Sequence, residues 1–585
     1  SYQLGRQTRA NPTLLGTDAL GLRTAGVAQD SVTRMLNILR GASIPTFAPD
    51  AGANRLSDSG SLMGSLDFSP PGSGNGHSVG VTFNGNWRRN TDVGTGATSL
   101  STAAGDHISW GGGLQARHSG YLGMVLSETS AGVNVNRDYD DLYTSLPAGR
   151  VLVNSLFEDG TSGVQLLGFG GSPGLGSSST TLGASLRNAL SWFDDGNKHR
   201  LKLNTELQYS GSSQRLASNL AGTFSYNSLA DLQAGRPLSF TRMLSARERS
   251  TGLMTASLSL GDSWRRTPDL QLQYGLRLDA GRYSNTPAFN PLVESTFGRR
   301  NDRVPAPILF SPRIGFQWTV GHSQEVGSFM GAARVPRSII RGGVGVFASS
   351  PGVGALGSAL DNTGLPGGAQ QITCIGPATP IPDWAAYGNP AAIPQRCADG
   401  SAGSVFSTTA PNVTLFARDF RPSTAVRSNL SWSGAALDNR FALNAEATYS
   451  LNLDQQRSFD LNFRGVPRFT LGDDGRPVYV DPASIVPATG AVATQDARVS
   501  PAFARVSELR SDLQSRTAQL SLRVSPVPRG PTRFGWSAAY TFSRMREQVS
   551  GFSSTAGDPL GVSWARSAQG PHQLSYSLRY NFFDA

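Results

Sequence analysis

The stretch Leu270-Gln271-Leu272-Gln273-Tyr274-Gly275-Leu276-Arg277-Leu278-Asp279 carries an apolar residue at every even position and a polar or small one at every odd position. Side chains of an extended chain point alternately to two faces. Leu270, Leu272, Tyr274, Leu276 and Leu278 therefore share one face, and Gln271, Gln273, Gly275, Arg277 and Asp279 share the other. The pattern returns at 533–542, where Phe534, Trp536, Ala538, Tyr540 and Phe542 oppose Arg533, Gly535, Ser537 and Thr541. It returns again near the end, where Leu574, Tyr576, Leu578, Tyr580 and Phe582 alternate with Gln573, Ser575, Ser577, Arg579 and Asn581. Fainter versions run through 62–68, 79–87, 108–116, 312–318, 339–347 and 441–449. Spans of about ten residues match a tilted strand crossing a bilayer. Strands of soluble sandwiches are usually about five or six residues long. The alternation thus predicts apolar side chains toward lipid and polar ones toward a wet lumen, with Arg277 and Asp279 as candidates to line that lumen.

Composition narrows the classes in the same direction. Of 585 residues only 16% are charged, against about a quarter in soluble domains. Gly contributes 68 residues, Pro 34 and aromatics 9%. Apolar content of 38% and a mean hydropathy of −0.23 exclude a polytopic helical membrane protein, since no stretch approaches the roughly 18 apolar residues of a spanning helix. A large all-β protein, a disordered low-complexity chain and a transmembrane β-barrel remain. Disorder does not call for repeated alternation with aromatics. The net charge is +10, but the arginines are scattered, in pairs at Arg88-Arg89, Arg265-Arg266 and Arg299-Arg300, with no basic run. Nucleic acid is not an expected partner.

Connections supply the second signal. Strand 182–192 is followed by Asp194-Asp195-Gly196-Asn197, a tight-turn sequence, and strand 201–209 returns. Ser525-Pro526-Val527-Pro528-Arg529-Gly530 joins strand 518–524 to 533–542. Other links are long, at about 280–311, 348–411 and 451–513. Short turns at one end and long loops at the other are the outer-membrane barrel pattern. Two helical patches fall within loops: one begins at Asp30-Ser31 and carries Val32, Met35, Leu36 and Leu39, and the other follows Asn227-Ser228.

Chemistry-bearing motifs are sparse. Gly170-Gly171-Ser172-Pro173-Gly174 matches Gly-x-Ser-x-Gly, but Pro173 stands where a hydrolase needs a backbone N–H for the oxyanion. The six histidines (His77, His107, His118, His199, His322, His572) show no metal-ligand spacing. His199 and His572 stand near strand starts. Gly342-Gly343-Val344-Gly345 resembles part of a dinucleotide loop, yet it lacks the third glycine and the helix; small residues also suit a barrel wall. Asp473-Asp474-Gly475 reads as a turn. Neither an enzyme nor a cofactor or metal is expected. Cys374 and Cys397, with Pro377, Pro380, Pro382, Pro390, Pro394, Trp384 and Tyr387 between them, suggest a local disulfide made in an oxidising compartment. Two unpaired thiols are the alternative.

Several segments resemble the barrel region of TonB-dependent outer-membrane receptors, with the nearest likeness in the large Oar-like branch, which carries a carboxypeptidase-regulatory-like domain. The resembling pieces are GTFSYNSLADLQAGRPLSFTR (222–242), YGLRLDAGRYSNTPAFNP (274–291), SPRIGFQW (311–318), IIRGGVGVFASSPG (339–352) and SFDLNF (458–463), and more loosely GLRTAGVAQDSV (21–32). The resemblance implies an antiparallel transmembrane β-barrel, of about 22 strands when complete, in the outer membrane of a diderm bacterium among lipid and lipopolysaccharide. It further implies a plug domain, energy from the TonB system, and an unidentified small or polymeric substrate captured by extracellular loops. No plug, TonB box or regulatory-like domain is found in the sequence. Ser1-Tyr2-Gln3-Leu4-Gly5-Arg6 lacks an initiator Met and a secretory pattern, and Tyr580–Ala585 resembles a terminal aromatic strand. An incomplete or split receptor is therefore expected, with 1–585 as barrel and 348–411 as a long extracellular loop. An adhesion or structural barrel binding a surface protein, and a passive porin, are the alternatives.

Overall fold

In this computed structural model the described residues are 1–70, 76–156, 160–194, 196–322, 336–349, 352–366, 368, 370–398, 407–408, 410–437, 440–485, 492–527, 534–551, 559–566 and 570–580. Among the described residues, strands account for 58% and helices for 11%. The alternating segments become one antiparallel meander. Its first half runs β1 (Tyr2–Ala10), β2 (Asn54–Phe68), β3 (Ser78–Val93), β4 (Gly105–Leu122), β5 (Val125–Leu142), β6 (Ser178–Phe193), β7 (His199–Leu216) and β8 (Arg247–Arg265). The second half runs β9 (Leu270–Tyr283), β10 (Ile308–His322), β11 (Pro336–Ala348), β12 (Thr424–Ala436), β13 (Phe441–Asp460), β14 (Val506–Pro526), β15 (Phe534–Ser550) and β16 (His572–Tyr580). Each pairs with the next in order. Two short strands complete the sheet of eighteen: Val562–Arg566, beside the end of β15, and Val413–Phe416, parallel to the start of β14. Among the described residues, the outer edges of β1 and β16 carry no strand partner.

Period two fixes which side of the wall each residue faces. Leu258 and Leu260 are 52% and 56% exposed, and Tyr274, Leu276 and Leu278 stand exposed beside them. A continuous apolar band of this kind would be an aggregation site in water; here it forms the outer surface for lipid. No helix among the described residues is long and apolar enough to cross a membrane.

The connections alternate as expected. The links that follow Leu122, Phe193, Arg265 and Ala436 are short and lie at one end, while the long connections that follow Ala10, Leu142, Leu216, Tyr283, Ala348 and Asp460 lie at the other. At the 194–198 turn Asn197 takes a positive φ of 52°, and its N–H donates to the Asp194 carbonyl at 2.8 Å. Asp195, most of the 525–530 link and the tail 581–585 lie outside the described residues. The strands exceed the ten-residue reading: 441–449 continues to Asp460, and 518–524 begins at Val506. A ladder once started gains a hydrogen-bonded pair per step, so it runs on past the lipid-matched span. The long connections are correspondingly shorter than 280–311 and 451–513.

The long connections also hold more structure than loops. Six strands from three of them form a second sheet in the order Ser407–Thr408, Gln371–Ile375, Ser239–Met243, Thr223–Tyr226, Ala148–Leu156 and Ser162–Gly170. Val151, Leu167, Phe169, Phe224, Tyr226 and Phe240 of this sheet share one buried core with helices α1 (Ala19–Thr24), through Leu22, α2 (Gln29–Gly41), through Val32, Met35 and Leu39, and α3 (Leu229–Gln233), through Leu229 and Leu232. The segment 348–411, expected as a loop, is thus partly a strand inside a folded cap. Both helical patches are present. The first begins at Gln29 with Ala28 as its N-cap, so Asp30 lies inside its first turn and favours the helix dipole instead of capping it. Ser228 does cap α3, accepting from the Asp231 N–H.

Candidate functional site

The inner face of the barrel begins with the two residues singled out by alternation. Arg277 and Asp279 stand on the side of β9 opposite Leu276 and Leu278, next to the inner-face Glu206 of β7. The Arg277 Nε donates to both Asp279 carboxylate oxygens, at 2.9 and 3.0 Å. Its Nη2 lies 3.7 Å from Glu206, which accepts from the Arg187 Nε at 2.7 Å. Arg187, Glu206, Arg277 and Asp279 therefore form a neutral ladder across the wall. It borders a cavity of about 160 Å³ toward the long-connection end. Such pairs hold wall side chains in place and contribute modestly to stability.

Below the ladder, toward the short turns, the lumen opens into a cavity of about 870 Å³. Arg200, Lys202, Arg313 and Arg427 line it. Arg313 and Arg427 both lie over the Phe347 ring, their guanidinium carbons 4.3 and 5.6 Å from its centroid. The Gly342-Gly343-Val344-Gly345 run sits inside β11, as a wall strand and not a nucleotide loop. A Cβ on Gly345 would stand 2.8 Å from the Arg313 Cγ, so this glycine leaves the room that Arg313 occupies.

The cap holds the other predicted pair. Cys374 and Cys397 are joined, with Cys374 fully buried. The chain between them lays Trp384 and Tyr387 against Phe224, with ring centroids 5.6 and 6.0 Å away. Burial pushes the Tyr387 hydroxyl above its usual pKa. Arg242, which the sequence reading passed over, is buried beneath this lobe. It donates to the carbonyls of Leu220 (2.7 Å), Ile393 (2.6 Å) and Pro394 (3.0 Å). Sequence marks it only as a lone cation between apolar strand residues.

The remaining motifs stay apart. Ser172 lies in the loop after Gly170, with no helix following. His199 and His572 open β7 and β16. His199 Nδ1 lies 2.7 Å from Asp262, which also accepts from Tyr274 at 2.8 Å, and His572 Nδ1 lies 2.6 Å from the Tyr540 hydroxyl. Among the described residues no group of three or more His, Cys, Asp or Glu is placed to hold a metal ion.

Comparison with known proteins agrees with this geometry. The family described as "Outer membrane beta barrel domain" matches residues 125–582. The chain belongs to that family. As an outer-membrane β-barrel it resembles solved structures at low identity. One is the outer membrane transporter YddB from Escherichia coli, at 12% identity and a TM-score of 0.50, covering 90% of this chain and 58% of that one. Another is the ferripyoverdine receptor of the outer membrane of Pseudomonas aeruginosa, at 10% identity and a TM-score of 0.43, covering 91% and 53%. The chain thus spans little more than half the length of these structures, and the likeness shows the fold alone. No curated protein matches the sequence.

Proposed function

We propose that this barrel is the membrane part of a TonB-dependent receptor of the Oar-like kind, one that takes a substrate at its loop cap and imports it through a plug-gated lumen. The observation that carries this reading is a folded cap standing over a polar-walled barrel. By the usual orientation of such barrels the long connections face outside and the short turns face the periplasm. The cap, including 348–411 and its disulfide, is then the surface that meets substrate, and Arg277 and Asp279 line the route below it. Lipid and lipopolysaccharide surround the apolar band; plug, TonB system and substrate follow from the sequence resemblance.

Native protein extracted from outer membranes tests the reading in two ways. A TonB C-terminal domain immobilised on resin should retain it, and planar bilayers containing it should show no steady conductance. A large, steady ohmic conductance would identify a passive porin. Failure of the TonB domain to retain a closed barrel would favour an adhesion protein.

A further inference from the structure

The register of the wall strands places unusual neighbours in one row of the inner face. Lys202 pairs with Gly261, Gly261 with Gly275, Gly275 with Arg313, Arg313 with Gly345, and Gly345 with Arg427. The row continues through Ser450 and Thr517. Every long side chain in it is a cation, and each gap between cations is glycine. Neighbouring strands lie about 4.8 Å apart, which puts Arg313 and Arg427 roughly 10 Å apart at the backbone, with Gly345 between them making room for the Arg313 stem.

The next row toward the short turns adds Arg200 and then only neutral residues: Ser263, Gln273, Gly315, Gly343 and Asn429. Acids stand outside these two rows on this face. Glu206 and Asp279 lie above, committed to Arg187 and Arg277, and Glu446 lies below, opposite Ser431. Asp262 borders the same cavity, but it projects from the other side of β8 and is held by His199 and Tyr274. Among the described residues Arg200, Lys202, Arg313 and Arg427 make no ion pair. Like charges gathered on a concave wall raise the local concentration of anions, and guanidinium forks match carboxylate and phosphate oxygens.

From this register we infer that the row, which climbs from the short-turn end at Lys202 to the long-connection end at Arg427, is a binding belt for a multivalent oxyanion. Its phosphate or carboxylate groups lie over Gly261 and Gly275, between Lys202 and Arg313, and against the guanidinium groups of Arg313 and Arg427, which Phe347 holds in place. The belt rests on the barrel reading and names the substrate class for the transport proposal.

Isothermal titration of the full chain in detergent, at low salt, with inorganic tripolyphosphate and with citrate tests it; the two anions separate phosphate from carboxylate chemistry, and putrescine is the cationic control. At least one anion should bind, with affinity falling as salt rises. Arg313→Gln and Arg427→Gln should each weaken binding about tenfold. Gly345→Val, which displaces Arg313 without removing a charge, should weaken it as well. Arg40→Gln on α2 carries the same charge change far from the belt and should leave binding unaltered. Heat-modifiable migration on gels reports whether each barrel has folded, and the glycine variant keeps the test alive where an arginine variant does not fold. A folded wild-type barrel that binds neither anion, or binding that all three belt variants retain, overturns the belt. Retention on the TonB domain in that case leaves the transport reading standing, whereas anion binding by a barrel that conducts openly supports the belt and refutes gating.

Discussion

Removing the Cys374–Cys397 link should loosen one lobe of the cap and nothing else. The two residues are 23 apart. Closing a loop of that size removes chain entropy worth about 3.4 kcal/mol at 25 °C in the loop-closure treatment. Without the link, the opened form of 376–397 should be about 300-fold more populated, at 1.36 kcal/mol per factor of ten. Alanine at both positions is the better variant, because a serine hydroxyl in the buried Cys374 site would add an unsatisfied polar group. The reporters are amides whose hydrogen bonds belong to the lobe: Gly376 to the Leu238 carbonyl at 2.7 Å, and Ala398 to the Ala378 carbonyl at 2.8 Å. Hydrogen exchange read by mass spectrometry should show these peptides exchanging two to three orders of magnitude faster in the double-alanine protein, with β8 and β9 peptides unchanged. Acceleration below about tenfold would refute the reasoning. It would mean that Trp384, Tyr387 and the Arg242 hydrogen bonds already hold the lobe closed against an entropy gain of about 3.4 kcal/mol.

Arg242→Met keeps the buried stem but leaves the Leu220, Ile393 and Pro394 carbonyls without their donor. It should destabilise the cap by about 2–3 kcal/mol, seen as faster proteolysis of the cap while the barrel fragment survives. Phe240→Ala in the cap core should cost about 3–5 kcal/mol and abolish the cap's thermal transition without changing the heat-modifiable migration of the barrel. Leu258→Arg on the lipid face should cost about 2–4 kcal/mol near the bilayer midplane. Ser257→Arg, one residue away on the lumen face, should be nearly neutral in refolding into lipid vesicles. Equal costs for that pair would mean the two faces have been assigned the wrong way round.

The barrel was legible in the sequence because the signal is repeated and purely local: one face must be apolar, and period two shows it strand after strand. Every segment quoted for alternation falls on a wall strand where its residues are described. The cap was not legible, and the reason is physical. Thr223 pairs in parallel with Ala148, and Phe240 pairs antiparallel with Cys374; short strands of four or five residues with partners this far away leave no period to read. Within the same loops, local signals did survive. Ser228 marks α3, and Asn290-Pro291 with Gly298 at φ +64° frames α4 (Pro291–Phe297) by an N-cap, a first-turn proline and a left-handed C-cap. The disulfide was readable because both cysteines sit in one stretch. Arg277 and Asp279 were singled out by parity alone, and they stand on the side of β9 opposite Leu276 and Leu278. The row of Lys202, Arg313 and Arg427 depends on register across six strands, which no single segment encodes.

The cap also imposes an order of assembly. Its sheet joins 148–170, 223–243 and 371–408, so the Thr223–Ala148 and Phe240–Cys374 pairings that link these segments each close a span of chain that includes barrel strands. Non-local closures of this kind are slow until the intervening chain is compact. The Cys374–Cys397 crosslink is local, with its ends 23 residues apart, and can close while the wall strands are still unpaired. Maturation therefore runs from crosslink to barrel to cap. A cap that resists protease is then a sign that every strand between residues 148 and 408 has already found its register.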